Sequence, residues 1–186
     1  MVKTRNQVTE PVGNRRVVAT SVELHRSESP ASVRCAVVTV SDTRTEATDL
    51  SGQLIVQRLT EVGHAVVARE IIPDDPRRMR PLLETLQQRE DVDAILMTGG
   101  TGITSRDQTF ETVNGLLTKP LLGYGELFRM LSFAEIGAAA MLSRAVGGLM
   151  GRTIVLTMPG SQAAVRLALE KLILPELGHL VREARR

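Results

Sequence analysis

Aromatic side chains are scarce in this chain, with no Trp, one Tyr and three Phe among 186 residues. The core must therefore be aliphatic, and the stacking platforms that single-stranded nucleic acid requires are missing. Cys35 is the one cysteine, so an intrachain disulfide is excluded. It lies in an apolar run, where a buried structural thiol is expected. No stretch is long and apolar enough to span a bilayer, so no membrane partner is expected. The basic N-terminus leads into no apolar run of the signal-peptide kind, and a cytoplasmic protein is expected. An excess of one charge is also lacking: 23 Lys and Arg oppose 21 Asp and Glu, a net +2. That imbalance is too small to indicate a nucleic-acid partner.

The three histidines stand apart from any cysteine or carboxylate cluster with metal spacing. A zinc site and a Cys–His nucleophile are therefore unsupported. Ser41, Ser105, Ser132, Ser143 and Ser161 lack a neighbouring His–Asp arrangement, which argues against serine hydrolysis. What remains is ordinary globular composition, 42% hydrophobic and 24% charged, enough for one domain with a full core. Residues 1–32 are polar, carry Pro11, Gly13 and Pro30 and have no helical period, so they read as a flexible arm. Within them Val18–Leu24 alternates weakly and is compatible with an added strand. The single domain is expected over 33–186.

From Val33 the chain alternates between the two periodicities. Val33–Val40 reads as a strand, and a helix follows from about Leu50 with Leu54, Ile55, Leu59 and Val62 on one face. His64–Ile72 is a second strand. A helix then begins at Pro76, with Asp74 and Asp75 as candidate caps. Ala94–Thr98 is the third strand. Thr109 is expected to cap a short helix through Leu117, broken by Lys119-Pro120. A long helical region covers Gly125–Met141, and Thr153–Met158 is another strand. Gly160-Ser161 opens a C-terminal helix that Pro175 should kink. Strands joined by helices in this order imply a parallel sheet covered on both faces.

The most informative segment follows the third strand: Thr98-Gly99-Gly100-Thr101-Gly102, then Ile103-Thr104-Ser105-Arg106-Asp107. Three glycines leave the loop without Cβ atoms, so main-chain N–H groups can turn toward an anion. Arg106 offers a planar cation for phosphate, and Asp107 offers hard oxygens for a divalent metal. The loop lacks the Gly-Lys-Ser/Thr ending of a Walker A motif and the glycine spacing of a dinucleotide fingerprint. In a parallel sheet, ligands bind outside the carboxyl ends of the strands. Hydroxyls, carboxylates and glycines recur at those ends: Ser41-Asp42-Thr43-Arg44 with Asp49-Leu50-Ser51-Gly52, then Ile72-Pro73-Asp74-Asp75, the glycine loop, and Met158-Pro159-Gly160-Ser161. Plainer roles exist for several of them. Asp75 and Ser161 can serve as caps alone, capping is the expected role of Ser51, and Asp107 can cap the helix near Thr109.

These ordered motifs resemble the MoaB/Mog-type molybdenum cofactor biosynthesis proteins, whose relatives include the gephyrin G domain and plant molybdopterin adenylyltransferases. The resemblance runs from about Val37 to His179. Gly123-Tyr124-Gly125-Glu126-Leu127-Phe128-Arg129, Ser143-Arg144-Ala145 and Pro159-Gly160-Ser161 carry it beyond the motifs already quoted. Met130–Gly137 looks more like the MoaB branch than the Mog branch. Tyr124 stands where many relatives carry Phe, and Met158 where Leu is usual.

The resemblance implies a three-layer α/β sandwich with a mostly parallel sheet, assembled as a homotrimer or hexamer. It implies binding of molybdopterin and its adenylylation, with ATP as co-substrate and Mg2+, by nucleotidyl transfer to the terminal phosphate. By position, Asp74 and Asp107 match the catalytic carboxylates and are the candidate Mg2+ ligands. Ser41, Asp42, Thr98, Gly99, Gly100, Thr101, Gly102, Arg106, Glu126, Arg129, Ser143, Arg144, Gly160 and Ser161 match substrate- or nucleotide-binding positions. Two other readings stay open. One is a catalytically weak pterin carrier that hands its intermediate to a molybdenum-insertion protein, and the other is a scaffold oligomer of the same fold.

Overall fold

The computed structural model describes residues 29–186. The expected arm, with its weakly alternating stretch and His25, lies outside the described residues as far as residue 28. Among the described residues six strands form one sheet: β1 (Arg34–Val40), β2 (Ala65–Ile72), β3 (Ala94–Thr98), β4 (Lys119–Pro120), β5 (Gly147–Met150) and β6 (Thr153–Met158). Their spatial order is β2-β1-β3-β6-β5-β4. The pairs β1–β2, β1–β3 and β3–β6 are parallel, while β5 is antiparallel to both β6 and β4. The helices are α1 (Leu50–Glu61), α2 (Pro76–Gln88), α3 (Thr109–Asn114), α4 (Leu122–Ile136), α5 (Gln162–Ala168) and α6 (Leu174–Arg185).

Strand periodicity divides the core in two. Cys35 and Val37 of β1, Leu96 of β3 and Leu156 of β6 pack with Ile55 and Leu59 of α1 and with Val165, Leu177 and Val181. The intervening residues Ala36, Val38, Ile95, Met97 and Val155 face Met79, Leu83 and Leu86 of α2. The mostly parallel sheet is thus covered on both faces, the three-layer α/β sandwich that the sequence implies. Each fully buried Leu or Ile contributes roughly 1.5–3 kcal/mol of transfer free energy.

Several expectations are corrected. Lys119-Pro120 does not simply end a helix: it pairs with Gly148 and Leu149 as the edge strand β4. The strand β5 was not expected at all, so the far third of the sheet is antiparallel rather than parallel. Val62 lies beyond the end of α1 and is half exposed, because the chain turns away at Gly63 with φ +86°. Thr109 is the first residue of α3 rather than its cap, and that helix ends at Asn114 instead of Leu117. The expected long helix is α4, which begins at Leu122 and passes into a 3-10 helix at Gly137–Leu142. Pro175 sits in the first turn of α6, and the distortion precedes it as a π-helical turn at Leu169–Ile173. A proline leaves the carbonyl four residues back without its donor, and a wider turn accommodates that.

Asp93 clamps the end of the sheet remote from the strand carboxyl ends. Its Oδ2 accepts the Arg34 main-chain N–H at 2.9 Å and Nε–H at 3.1 Å, and its Oδ1 accepts Arg34 Nη2–H at 2.8 Å. Arg185, at the end of α6, donates to the same Oδ1. Burial opposes the charge on Asp93, but the Arg34 and Arg185 donors outweigh it and hold its pKa down to about 2. A carboxylate with a depressed pKa stabilises the fold above its unfolded-state pKa, and that stabilisation is lost as pH falls through the folded value. Asp93→Asn should cost about 2 kcal/mol in urea denaturation at neutral pH, on the scale of charge-assisted hydrogen bonds. The gap to wild type should narrow as pH drops below about 4 toward the pKa of about 2. A pH-independent gap would show that packing, not charge, sets the loss.

Candidate functional site

The direction of strand order reverses at β1, between β2 on one side and β3 on the other. Such a reversal opens a crevice at the carboxyl ends of the strands. Here the ends of β1, β3 and β6 are drawn tightly together. The Gly99 N–H donates to Met158 O at 3.0 Å, and Thr98 Oγ1 donates to Pro159 O at 3.1 Å. Ser51 Oγ donates to Gly160 O at 2.8 Å. Ser51 is therefore a tie between α1 and the β6 loop, not the expected cap. Asp49 caps α1 instead, its Oδ1 accepting the Gly52 N–H at 2.9 Å. Asp49 is buried and also accepts from Thr39 Oγ1 at 2.8 Å and Arg69 Nη2 at 3.0 Å. Burying a carboxylate is costly unless such donors replace its lost hydration.

Two adjoining cavities result, sharing Gly99, Gly160 and Ser161 as a common wall. One, of about 370 Å3, is polar and lies over α1, with Ser41, Thr98, Thr39, Arg44 and Ser51 among its lining residues. The other, of about 350 Å3, lies over α4 and the 3-10 helix. Gly100, Thr101, Gly102, Asp107 and Ser143 line it with apolar Phe128, Ile136 and Leu142. Ser161 caps α5, accepting the Ala164 N–H at 3.2 Å. Its capping and lining roles coexist.

Of the residues expected from sequence, Asp42, Asp74, Arg106, Glu126, Arg129 and Arg144 line neither cavity. Asp74 adjoins the glycine loop from the β2 side. Its Oδ1 accepts the Gln108 N–H at 3.1 Å and so caps α3 from outside, which is why Thr109 is not needed as a cap. Asp107 Oδ2 accepts from Thr104 N at 2.8 Å and Thr104 Oγ1 at 2.6 Å, so it closes its own turn rather than capping α3. Glu126 is exposed on α4. Arg129 lies on the same helix, beside Gly125. His64 Nδ1 accepts the Val33 N–H, and His179 pairs with Glu176, both structural roles. Thr39, Arg44 and Ser51 also line the polar cavity; Arg44 and Ser51 stood in the strand-end segments read from the sequence but were not singled out as binding residues.

The electrostatics separate the two carboxylates. Burial pushes the Asp74 pKa up, the Gln108 N–H pulls it back, and the charges of Asp107 and Asp42 push it further up. The Thr104 hydroxyl and N–H outweigh burial at Asp107 and hold its pKa below the usual carboxylate range. Asp74 Oδ2 would meet a Cβ at Gly100 at 2.4 Å, and Asp107 Oδ2 one at Gly102 at 2.8 Å. Glycine lets both carboxylates approach the loop.

Arg144 braces that loop. It donates from Nε to Gly102 O at 2.7 Å and from Nη2 to Asp107 O at 3.1 Å, and its own N–H reaches Thr101 O at 3.2 Å. It pairs with Glu111 and stands over the Phe110 ring, 5.3 Å from the centroid. Arg144→Ala should cost about 2–3 kcal/mol in chemical denaturation and speed amide exchange at Thr101 and Gly102, as expected when charge-assisted hydrogen bonds are lost. Lys should not restore the wild-type rates, because an ammonium cannot reproduce the planar fork. Unchanged exchange in Arg144→Ala would remove the brace.

Comparison with known proteins places this architecture. The profile of a family described as "Probable molybdopterin binding domain" matches residues 36–179. Molybdenum cofactor biosynthesis protein B of Bacillus anthracis is 55% identical over 167 residues, covering 89% of this chain and 99% of that protein. A crystal structure of a molybdenum cofactor biosynthesis protein B matches with TM-score 0.83 and 55% identity, covering 86% of this chain and 99% of the other. The tungsten cofactor synthesizing protein MoaB from Pyrococcus furiosus matches with TM-score 0.75 and 37% identity, covering 84% and 99%.

Proposed function

From the premise that this chain belongs to the molybdopterin-binding domain family of molybdenum cofactor biosynthesis, we propose that it is a molybdopterin adenylyltransferase. The carrying observation is the pair of adjoining cavities that share the Gly99 and Gly160-Ser161 wall, with two carboxylates beside them. Two substrates joined at a phosphate need two neighbouring sites with an anion-tolerant seam between them. The reaction joins a terminal phosphate oxygen of the pterin to the α-phosphorus of ATP and breaks the bond to the β-phosphate, releasing pyrophosphate. No side-chain nucleophile is needed, only alignment and charge neutralisation. The glycine loop offers main-chain N–H groups, and Ser41 and Ser161 offer hydroxyls.

The residues fit a magnesium ion. Asp74 and Asp107 both bring hard carboxylate oxygens against the glycine loop, Asp74 Oδ2 at Gly100 and Asp107 at Gly102. A cation held by these carboxylates would offset the burial, and after it the neighbouring charge, that raise Asp74. Among the described residues no group of three or more such side chains forms a protein-only metal cage. Magnesium, which usually takes one or two carboxylates plus substrate oxygens, does not require one. When bound it would neutralise phosphate charge.

Asp107→Ala and Asp74→Asn should keep the fold and bind molybdopterin within several-fold of wild type. Each should lower turnover by roughly two orders of magnitude, the scale of a lost transition-state charge partner. Asn keeps an acceptor for the Gln108 N–H, so α3 stays capped. The assay follows pyrophosphate and adenylylated pterin from molybdopterin and Mg-ATP. Equal turnover by Asp107→Ala and wild type would remove its role. Tight pterin binding with no wild-type turnover would make the protein a carrier that hands its pterin to a molybdenum-insertion protein.

The assembly is part of this proposal. Leu122, Met130, Phe133, Ile136 and Met141 on α4 and the 3-10 helix are 71%, 60%, 63%, 59% and 74% exposed. So large an apolar stripe on a small domain indicates an interface between copies. Light scattering at micromolar concentration should give three or six chains per particle, and Met130→Glu with Phe133→Glu should give monomers. A monomeric wild type would overturn the assembly.

A further inference from the structure

Arg106 does not point at either cavity. Its guanidinium is paired with Asp42, which joins the loop after β3 to the loop after β1. Asp42 Oδ1 also accepts the Asp74 N–H at 3.3 Å, so one carboxylate ties together the loops that follow β1, β2 and β3. The side chains are 69% exposed at Arg106 and 39% at Asp42. An ion pair so open to water is weak, and its geometry is easily exchanged.

The surroundings show what Arg106 is held away from. Asp42, Asp74 and Asp107 interact through their charges around the glycine loop, and Arg106 acts on Asp42 and Asp74. Two other cations nearby are committed. Arg144 is spent on two carbonyls and Glu111, and Arg77 on Asp75. Arg44 lines the polar cavity over α1 and donates to a main-chain carbonyl, Thr48 O. A phosphate arriving on the side of Asp42 and Asp74 therefore meets carboxylates first, and Arg106 is a guanidinium there whose carboxylate partner it can replace. A guanidinium grips phosphate as a fork, at least as well as it grips a carboxylate.

We propose that Asp42 is a placeholder for a ligand phosphate: it parks Arg106 at the rim of the empty site and yields it when the phosphate arrives. This rests on the reading of the site as one that takes a phosphorylated ligand. Asp42 is then a positioning residue whose carboxylate lowers phosphate affinity, the reverse of a residue that contacts the ligand. It keeps the three loops in register while the site is empty, and the ligand takes over that bridge.

The probe is inorganic pyrophosphate with saturating Mg2+, measured by titration calorimetry on four proteins: wild type, Asp42→Asn, Arg106→Gln and the double variant. Asn retains an acceptor for the Asp74 N–H. Asp42→Asn should bind about fivefold more tightly, the gain expected when an exposed ion pair need not be opened. Arg106→Gln should bind more weakly than wild type. In the Arg106→Gln background the Asp42→Asn gain should vanish, as double-mutant logic requires if the effect passes through Arg106. Weaker or unchanged binding by Asp42→Asn overturns the placeholder and makes Asp42 a ligand contact or a bystander. An equal gain in both backgrounds overturns it as well, leaving only the loss of a repelling charge. If wild type binds but the variant does not tighten, the phosphate site survives without the latch. If none of the four proteins binds pyrophosphate, the phosphate reading of the site fails and the latch with it.

Discussion

Gly99 has φ +99°, and a Cβ built on it would lie 2.2 Å from Val40 O. No side chain can be accommodated there, because the obstacle is main chain that cannot move without shifting β1. The absence of one methyl group thus lets the ends of β1 and β3 close on each other, and the Gly99 N–H then reaches across to Met158 O of β6. Gly100, at φ +63°, repeats the device against Asp74 and Thr109. Once these two residues have turned the chain, Thr101 and Gly102 are presented to Arg144, and Asp107 falls beside Asp74. The geometry of the whole upper edge follows from backbone contact that only glycine permits.

Much of this architecture was legible in the sequence, and the reasons differ by element. The bounds of β3 and β6 agree with the apolar runs Ala94–Thr98 and Thr153–Met158, because strands buried on both faces write themselves as unbroken hydrophobic stretches. The strands β4 and β5 left no such mark. Lys119-Pro120 is two exposed residues, and Gly147-Gly148 has no side chains from which a period can be read. Their pairing is decided by the neighbouring β6, which is tertiary information. At the site, the glycine loop and the carboxylates at strand ends were visible as residue types in the right loops. Their partners were not. Capping of α3 by Asp74 and the tie from Ser51 to Gly160 join residues 34 and 109 positions apart, and no local pattern announces them.

Arg106 and Arg144 lie in or against the same loop and carry the same charge, yet the structure uses them differently. Arg144 is partly buried and donates to carbonyl oxygens, which cannot leave, and it stands over the Phe110 ring as well. Arg106 is exposed and faces one partly exposed carboxylate, that of Asp42. The first arrangement fixes the backbone, and the second holds a charge in reserve. Sequence position cannot distinguish them, since burial and the identity of the acceptor decide which of the two an arginine becomes.

The place of β6 in the sheet bears on how the protein is made. It is the last strand in the chain, yet it lies between β3 and β5 in the middle of the sheet. A ribosome must therefore deliver β1, β2 and β3 long before the strand that closes their open edge, and β5 with β4 has nothing to join until then. The wall formed by Gly160 and Ser161 arrives later still. A fragment that stops before Ser161 lacks the shared wall of the two cavities, so a nascent chain stays blind to its ligand until the residues after β6 are made. In the mature protein the same insertion means that opening the site disturbs the centre of the sheet, not a detachable edge. Ligand binding then protects the fold as a whole, and its free energy is felt in global unfolding.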